Sequence, residues 1–448
     1  MLRDRRRRAD PCGDGNGAVT GAPPPLIRAP GIGEAPPTAG LPPRWADVLW
    51  PGRGPTLEQA LCHRFGFSDI EITSTGTAAL LIAFATLKQL HPRRDVVIVP
   101  GYTCPLVVIA AAAAGVRVVA CDTSAGGLDF DLDHLRGLVG NGVRPSGSDT
   151  RVDVAHVLAI VPTHFGGWLA DVDAVRAAAP GIPIVEDAAQ ALGGTWRGQS
   201  TGLGGDIGVF SLGAGKGLTI YEGGALVARD PAMLSAMRRT AARLQQGSAL
   251  GALGRAAMLL GYHAAYTPLG LRLAYGRPKR RALDQGDEIE AAGDRFAHDV
   301  PVTPVGQWRK RVGRAALVRL DAHLAESRTR FNRLATRLSG IPGLVVHVPP
   351  DHSRPSATAL FVTLPPHPER DALIRALWRT RLGVARMFSH AITDYPDIAP
   401  LMLPSETPHA RALAAGTITI TTSTLLSPDA ETTIVATLEG FARDAGWK

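Results

Sequence analysis

The chain has 448 residues, of which 45% are hydrophobic and 20% charged, so it is long enough for two domains and too apolar for a disordered protein. Its net charge of +8 comes largely from arginine-rich clusters at residues 3–8 and 277–281. No recognised nucleic-acid motif accompanies these clusters, which argues against a nucleic-acid-binding protein. A basic balance also suits an anionic substrate, although only weakly.

Residues 1–45 are rich in Arg, Gly, Pro and Ala without any periodicity, which predicts a flexible leader. No apolar stretch follows its arginines, so we expect no signal peptide. The four cysteines lie far apart without metal-type pairing, which predicts reduced thiols, a cytoplasmic protein and no metal site. No run is long enough to span a membrane without charge or proline.

Strands alternate with helices between residues 46 and 246. Apolar strand patterns occur near 70–73, 96–100, 116–121, 157–161 and 184–187, and helical patterns at 56–66, 78–90, 106–115, 171–181 and 231–246. This alternation predicts an α/β fold with a mostly parallel sheet flanked by helices, 46–246 forming the large domain. Ligands of such sheets bind at the carboxyl ends of strands, where the segments of Ser74, Tyr102, His164 and Asp187 terminate.

A carboxylate and a lysine with cofactor-type spacing lie in the stretch 184–226. Asp187 ends an apolar strand, and Lys216 lies between two glycine-rich turns. Pyridoxal phosphate (PLP) sites use a lysine that forms a Schiff base and an acidic partner for the pyridinium nitrogen. Taken singly, Asp187 could cap a helix and Lys216 could be a surface lysine. A phosphate-binding P-loop is excluded, because Phe210 and Gly217 occupy its required Gly and Ser/Thr positions.

The turn Ser74-Thr75-Gly76-Thr77 precedes a helix that we expect to begin near Ala78. Backbone amides at a helix N-terminus, with a glycine that allows close approach, suit a phosphate group. Ser211, just before the lysine loop, could donate a further hydrogen bond. The alternative is an ordinary turn capped by Thr77.

The remaining chain divides into three parts. Residues 247–310 form an insertion in which an apolar stretch is interrupted by arginines and proline. Two interpretations of it remain open, a membrane contact through 247–281 and a helical insertion that packs on the large domain or a dimer partner. A long helical pattern between Arg309 and Leu338 predicts a connecting helix, assigned to 311–340, and 341–448 predict a small C-terminal α/β domain.

Six segments together resemble one family. They are TSTGTAAL, VVIVPGYTC, AIVPTHFGG, IVEDAAQALGGTWRG, GDIGVFSLGAGKGLTIYEGGAL and TSTLLSPDA. The chain resembles the DegT/StrS-type nucleotide-sugar aminotransferases, which are fold-type I PLP enzymes, over residues 55–245 and less clearly 310–446. The resemblance implies a cytoplasmic homodimer that transfers an amino group, from glutamate, to a nucleotide-linked keto-sugar in polysaccharide or antibiotic sugar biosynthesis.

The resemblance also implies roles for individual residues. Lys216 would form the internal aldimine and carry protons, Asp187 would pair with the pyridinium nitrogen, and Gln190 would hydrogen-bond near the ring hydroxyl. The phosphate would be held by Gly76, Thr77 and Ser211.

The chain departs from the family pattern in three places. Gly213-Ala214-Gly215 replace a His-Pro-Thr-like segment, and Cys104 occupies the position of a ring-stacking aromatic residue, for which Tyr102 is the proposed substitute. The insertion 247–310 stands where the family has a segment that reaches the partner's site. Two other functions remain open, a PLP-fold sugar dehydrase, in which histidine commonly replaces the lysine, and a non-catalytic regulatory or binding relative.

Overall fold

The computed structural model describes residues 27, 31, 33–140, 153–247 and 249–447, so most of the predicted leader lies outside the described residues. The strands are β1 Glu71–Thr73, β2 Val96–Pro100, β3 Arg117–Cys121, β4 Val157–Ile160, β5 Val185–Asp187, β6 Thr195–Trp196, β7 Gln199–Ser200, β8 Ile207–Ser211, β9 Gly224–Ala228, β10 Val345–Val346, β11 Ser353–Arg354, β12 Ala359–Thr363, β13 Val384–Ala385 and β14 Thr417–Thr421.

The helices of the large domain are α1 Trp45–Leu49, α2 Leu57–Phe65, α3 Gly76–Leu90, α4 Pro105–Ala113, α5 Leu132–Val139, α6 Val172–Ala178 and α7 Pro231–Leu244. Those that follow are α8 Ala249–Ala265, α9 Pro268–Leu271, α10 Arg277–Asp284, α11 Glu288–Ala292, α12 Gln307–Leu317, α13 Leu320–Ser339, α14 Arg370–Arg379, α15 Pro408–Gly416 and α16 Pro428–Asp444. A π-helical turn, Arg272–Gly276, joins α9 to α10.

One twisted sheet organises the large domain. β2 pairs in parallel with β3 and β4, and β5 pairs in parallel with β8. Backbone hydrogen bonds from Ile160 to Pro183 and from Asp187 to Pro162 join β4 to β5. The order is therefore β3-β2-β4-β5-β8-β9-β1, with β9 antiparallel to both of its neighbours. The prediction of a mostly parallel sheet is confirmed.

Alternate residues of each inner strand face opposite layers of helices. Val97 and Val99 pack in the core beneath α3 and α4, whereas Val96 and Ile98 pack against α5 and α6. This follows from the two-residue side-chain period of a strand. Helices cover both faces, as the continuous apolar strands predict, and the carboxyl ends of β2, β4 and β5 meet at one edge.

Helices α2 and α3 begin at capping threonines, and α2 ends at a glycine. The side chain of Thr56 accepts a hydrogen bond from the amide of Gln59 at 3.2 Å, and Gly66 ends α2 with φ +72°. In α3 the cap is Thr75, whose Oγ1 accepts from the amide of Ala78 at 2.9 Å. The cap is therefore not Thr77, because the helix begins two residues earlier than predicted.

The C-terminal part forms a second core. Strands β10, β12, β14 and β13 make an antiparallel sheet in that order. Helices α13, α14 and α16 pack on it through an apolar cluster that includes Leu334, Leu377 and Leu438. This part of the chain is a small α/β unit beside the large sheet.

Residues 33–45 differ from the predicted leader. Ala35, Ala39 and Leu41 are buried, and a parallel bridge pairs Leu41 with Leu218 next to the lysine loop. Small residues allow this segment to pass between neighbouring elements, since a β-carbon on Gly40 would come within 2.8 Å of Gly215. The described end of the leader is thus packed against the large domain.

The predicted connecting helix is divided in two. α12 ends at Leu317 and α13 begins at Leu320. At the break the guanidinium of Arg319 forms a hydrogen-bonded ion pair with Asp47 and donates to the carbonyl of Pro42. These tertiary contacts, which helical periodicity cannot predict, lie at the break between the two helices.

The insertion is helical and packs on the large domain. Leu259 of α8 is buried with Val48 and Val312, and the ring of Tyr262 contacts Tyr221. No helix of the described residues is long and apolar enough to cross a membrane.

Candidate active site

Asp187 ends β5 at the carboxyl edge of the sheet and is buried. Its Oδ1 accepts a hydrogen bond from the amide of Ala189 at 3.0 Å, which closes a turn; no helix follows, so the capping alternative is wrong. Burial raises the pKa of the carboxyl, and the nearby Lys216 acts in the opposite direction. A carboxylate in this setting is stabilised when a positive charge lies in front of it.

Lys216 lies in the loop between β8 and β9. Gly215 before it has φ +76°, a left-handed conformation that glycine adopts readily, and its carbonyl accepts a hydrogen bond from Thr38 at 2.8 Å. Burial lowers the pKa of the Lys216 amine, while Cys104 and Asp187 act to raise it. A lowered pKa increases the fraction of neutral, nucleophilic amine. The partly exposed lysine therefore lies close enough to the buried aspartate for each charge to influence the other's pKa.

The N-terminus of α3 lies beside Ser211. A β-carbon on Gly76 would come within 3.1 Å of the Ser211 β-carbon, so the first turn of the helix closely approaches the end of β8. Amides in the first turn have no partner within a helix, and those of Gly76 and Thr77 belong to partly exposed residues. The structure brings all three predicted phosphate-binding residues together in a cradle suited to an anion.

Gln190 carries an unsatisfied acceptor at the site. Its amide nitrogen donates to the sulfur of Met387 at 3.5 Å, while its buried Oε1 has no hydrogen-bond partner among the described residues. An unpaired buried acceptor is costly, so this oxygen is suited to a ligand that brings a hydroxyl or N–H group.

Tyr102 does not take the position predicted for it. Its side chain is 0% exposed and its ring packs against Phe165 and Phe388, with centroids 5.9 and 5.4 Å apart. It therefore presents no surface to a cofactor and belongs to an aromatic core under the site. Cys104, the residue that precedes α4, instead lies close enough to Lys216 for the two groups to influence each other's pKa.

A buried pair behind Asp187 was not predicted. His164 Nε2 and Glu186 Oε1 are 2.7 Å apart, and His164 Nδ1 accepts a hydrogen bond from the amide of Ala170 at 2.9 Å. Nε2 must therefore carry the proton and donate to the carboxylate. Two further amides, those of Gly202 and Gly205, donate to Glu186 at 2.5 and 2.7 Å. From the sequence, the pair could have been suspected because His164 and Glu186 are both polar residues that follow or end apolar strands.

The insertion supplies a second carboxylate near the site. Asp294 Oδ2 accepts hydrogen bonds from the amide and hydroxyl of Ser389 at 2.9 and 3.1 Å and from Tyr395 at 2.6 Å. Burial raises the pKa of the Cys104 thiol, and the charge of Asp294 acts in the same direction. Asp294 is about a hundred residues away in sequence from Ser389 and Tyr395, so no local sequence motif could predict this network.

Comparison with known proteins gives consistent matches. A sequence model described as the DegT/DnrJ/EryC1/StrS aminotransferase family matches residues 53–256 and 309–439, and the unmatched stretch between them falls within the insertion. The protein MosB of Rhizobium meliloti is 32% identical over 41% of this chain and 33% of its own length. The erythromycin biosynthesis sensory transduction protein EryC1 of Saccharopolyspora erythraea is 29% identical over 67% of this chain and 72% of its own.

A solved structure has the same fold. The putative sugar aminotransferase Spr1654 from Streptococcus pneumoniae, in its PLP form, superposes with a TM-score of 0.66 at 18% identity, covering 92% of this chain and 99% of that one. At this identity the likeness establishes the fold alone. The matched region spans only a third of MosB, so activity does not follow from that alignment.

Proposed function

Because the chain belongs to the DegT/DnrJ/EryC1/StrS aminotransferase family, we propose that it is a PLP-dependent aminotransferase acting on a keto-sugar. The amino donor is glutamate and the acceptor is a nucleotide-linked sugar. One observation carries the proposal. The partly exposed Lys216 lies close enough to the buried Asp187 for their charges to interact, and the pKa of the amine is lowered while that of the carboxyl is raised.

The residues present fit the cofactor. The cradle of Gly76, Thr77 and Ser211 would hold its phosphate, the unpaired Oε1 of Gln190 would accept from its ring hydroxyl, and Asp187 would face its ring nitrogen. When bound, PLP supplies an aldehyde that combines with amines and a ring that withdraws electrons from the adjacent carbon.

The chain's own groups then have separate tasks. The lowered pKa of Lys216 increases the fraction of neutral amine, and a neutral Nζ can accept a proton from a substrate carbon and return it to another position. The amide of Ala189 fixes the carboxyl group of Asp187 and favours its charged form against the effect of burial. The overall reaction releases the oxo acid of the donor and leaves an amine on the sugar.

The proposal is tested with purified protein loaded with PLP. Wild type should turn over glutamate with a panel of nucleotide-linked keto-sugars, followed as release of 2-oxoglutarate, and Lys216→Ala should lose both this activity and the visible absorbance of the covalently attached cofactor. Lys88→Ala is the matched control, since Lys88 lies near the far end of α3 and donates to the carbonyl of Arg94. Its absorbance and activity should equal those of wild type.

Other outcomes separate the alternatives. Loss of the sugar hydroxyl without amine formation would indicate a dehydrase, and PLP-independent behaviour of an inactive protein would indicate a regulatory relative. The relative EryC1 is named a sensory transduction protein, so the test for a regulatory protein is worth making. An unchanged cofactor spectrum in Lys216→Ala would refute the assignment of the lysine.

The remaining expectations concern partners and place. The protein is proposed to be a cytoplasmic homodimer whose insertion lies where relatives extend toward the partner's site. Sedimentation velocity of the full chain tests the dimer. Contact of residues 247–281 with a membrane would depend on the exposed surface of the insertion and not on the candidate active site. It is therefore a proposal separate from the aminotransferase function.

A further inference from the structure

The insertion presents an apolar face to solvent. The outward positions of α8 are Leu250, Leu253, Gly254, Ala257, Met258, Leu260, Gly261 and Ala264, and the following helical segment adds Leu269 and Leu273. None of these carries a charge. Leu253 is 67% exposed, and a β-carbon on Gly254 or Gly261 would meet nothing within 4 Å. We call these ten residues the apolar face.

The face continues onto α1. The ring of Trp45 lies against His263 of α8 with centroids 4.4 Å apart, and Val48 packs on Leu259. On the same short helix and its end, Trp45, Leu49 and Trp50 remain exposed, Trp50 by 76%. Tryptophan is the residue that most favours the boundary between lipid headgroups and acyl chains. The apolar surface is therefore built from two parts of the chain and is larger than α8 alone.

The exposed charges of α10 that have no partner among the described residues are both positive. Residues 249–283 contain six Lys or Arg and no Asp or Glu. Inward cations have partners, since Arg255 pairs with Glu222 and Arg280 with Glu34. Arg277 and Arg281, in the first and second turns of α10, are exposed and are therefore available to an external anion.

We propose that the apolar face and the two exposed arginines of α10 dock the protein on an anionic lipid surface. The helices lie along the surface without crossing it, Leu253, Met258 and the tryptophans entering the headgroup boundary while Arg277 and Arg281 bind lipid phosphates. Amphipathic helices bind membranes by this combination of buried apolar area and attraction to anionic lipids.

A second copy of the chain is a poorer occupant for the same face. A twofold interface brings one patch against itself, so it must be self-complementary. Asp284 of α10 already pairs with Arg379, so a contact through Arg277 and Arg281 would place like charges together, whereas an anionic headgroup layer supplies the opposite charge. Each lipid phosphate also provides the oxygen acceptors that arginine prefers.

The test is sedimentation of the full-length protein with vesicles of phosphatidylcholine alone or mixed with phosphatidylglycerol. We expect binding to the mixed vesicles that weakens as salt is added, and little binding to phosphatidylcholine alone. Arg277→Glu/Arg281→Glu and Leu253→Glu/Met258→Glu should each weaken binding about tenfold or more.

Matched controls keep the result specific. Arg93→Glu/Arg239→Glu makes the same charge change at exposed arginines elsewhere, and Val318→Glu places an acid on a valine that is 86% exposed outside the face. Both should bind like wild type. The arginines at residues 3–8 are common to every variant, so the difference between variants and controls isolates the face.

Three results would overturn the proposal. The first is absence of binding to mixed vesicles, and the second is equal binding by face variants and controls. The third is a change from dimer to monomer in Leu253→Glu/Met258→Glu, measured by sedimentation velocity, with vesicle binding retained, because a second copy would then be the occupant. None of these measurements depends on aminotransferase activity. A negative result would therefore overturn the membrane proposal without affecting the proposed function.

Discussion

The hydroxyl of Tyr262 accepts a hydrogen bond from the backbone amide of Gly215 at 3.3 Å. Gly215 immediately precedes Lys216, so a helix of the insertion touches the loop that carries the proposed catalytic amine. The same loop is held from another side by Thr38. The insertion thus has a structural role at the site that does not depend on what covers its outer face.

This contact gives a first prediction. Tyr262→Phe removes the acceptor and leaves the amide of Gly215 unpaired, which should lower the free energy of unfolding by about 1 kcal/mol. Because the bond holds the lysine loop, cofactor should also dissociate faster from the variant. Urea unfolding and the decay of cofactor absorbance after dilution measure the two effects. Dissociation unchanged from wild type would show that the loop is held without Tyr262.

The closeness of Gly76 and Ser211 gives a second prediction, on the phosphate cradle. Gly76→Ala places a methyl group 3.1 Å from the Ser211 β-carbon and should weaken PLP binding about tenfold, equivalent to about 1.4 kcal/mol. In a Ser211→Gly background the contact is gone, so the same substitution should cost much less. Dissociation constants of the four proteins form a double-mutant cycle. Additive effects would mean that the two residues do not meet in the loaded site.

A third prediction concerns Asp187. Asp187→Asn keeps the shape and the acceptor for Ala189 but removes the buried charge, worth about 3 kcal/mol, so turnover should fall roughly a hundredfold. Absorbance should show that PLP remains attached through Lys216. Asp173→Asn, at an exposed acid, is the control. Full activity of Asp187→Asn would exclude the residue as the partner of the ring.

The Glu186–His164 pair predicts a dependence of stability on pH. Burial raises the pKa of Glu186, but the hydrogen bonds from His164, Gly202 and Gly205 outweigh it, so the pKa lies below the ordinary 4.5. A carboxyl with a lowered pKa stabilises the fold above its unfolded value, and this stabilisation is lost as the pH falls through the folded value.

Replacing the carboxylate should expose that contribution. Glu186→Gln turns an N–H group toward existing donors and should cost about 3 kcal/mol near neutral pH. The difference from wild type should shrink as the pH falls from the ordinary value of 4.5 toward the lower value of the folded protein, at which wild type also loses the charge. Denaturant unfolding at several pH values measures both. A difference that stays constant with pH would mean that the charge of Glu186 does not contribute.

Much of the large domain could be predicted because its signals are local. Five apolar residues at 96–100 bury both faces of β2, and Thr56 and Gly66 delimit α2 through a cap and a left-handed turn. The segment that contains Asp187 and Lys216 was identified from residue types and spacing, and Gly76, Thr77 and Ser211 lie together as expected. These features depend on neighbours in sequence or on strand ends that the sheet aligns.

Other features depend on contacts between distant parts of the chain. Nothing near Tyr102 shows that its ring turns into a core with Phe165 and Phe388, and a leader rich in glycine and alanine gives no sign that Ala39 is buried. Asp294 acquires its partners only when the insertion meets Ser389 and Tyr395.

The sequence by itself determined the α/β fold, the parallel sheet and the residues proposed to hold PLP. The spacing of apolar residues, the helix caps and the residues at strand ends can all be recognised from neighbours in the sequence. Only the tertiary structure decided which way each side chain faces, which segments cover the lysine loop and which apolar helix face stays open to solvent. Burial and unpaired charge are properties of the packed chain, so they exist only once distant segments meet.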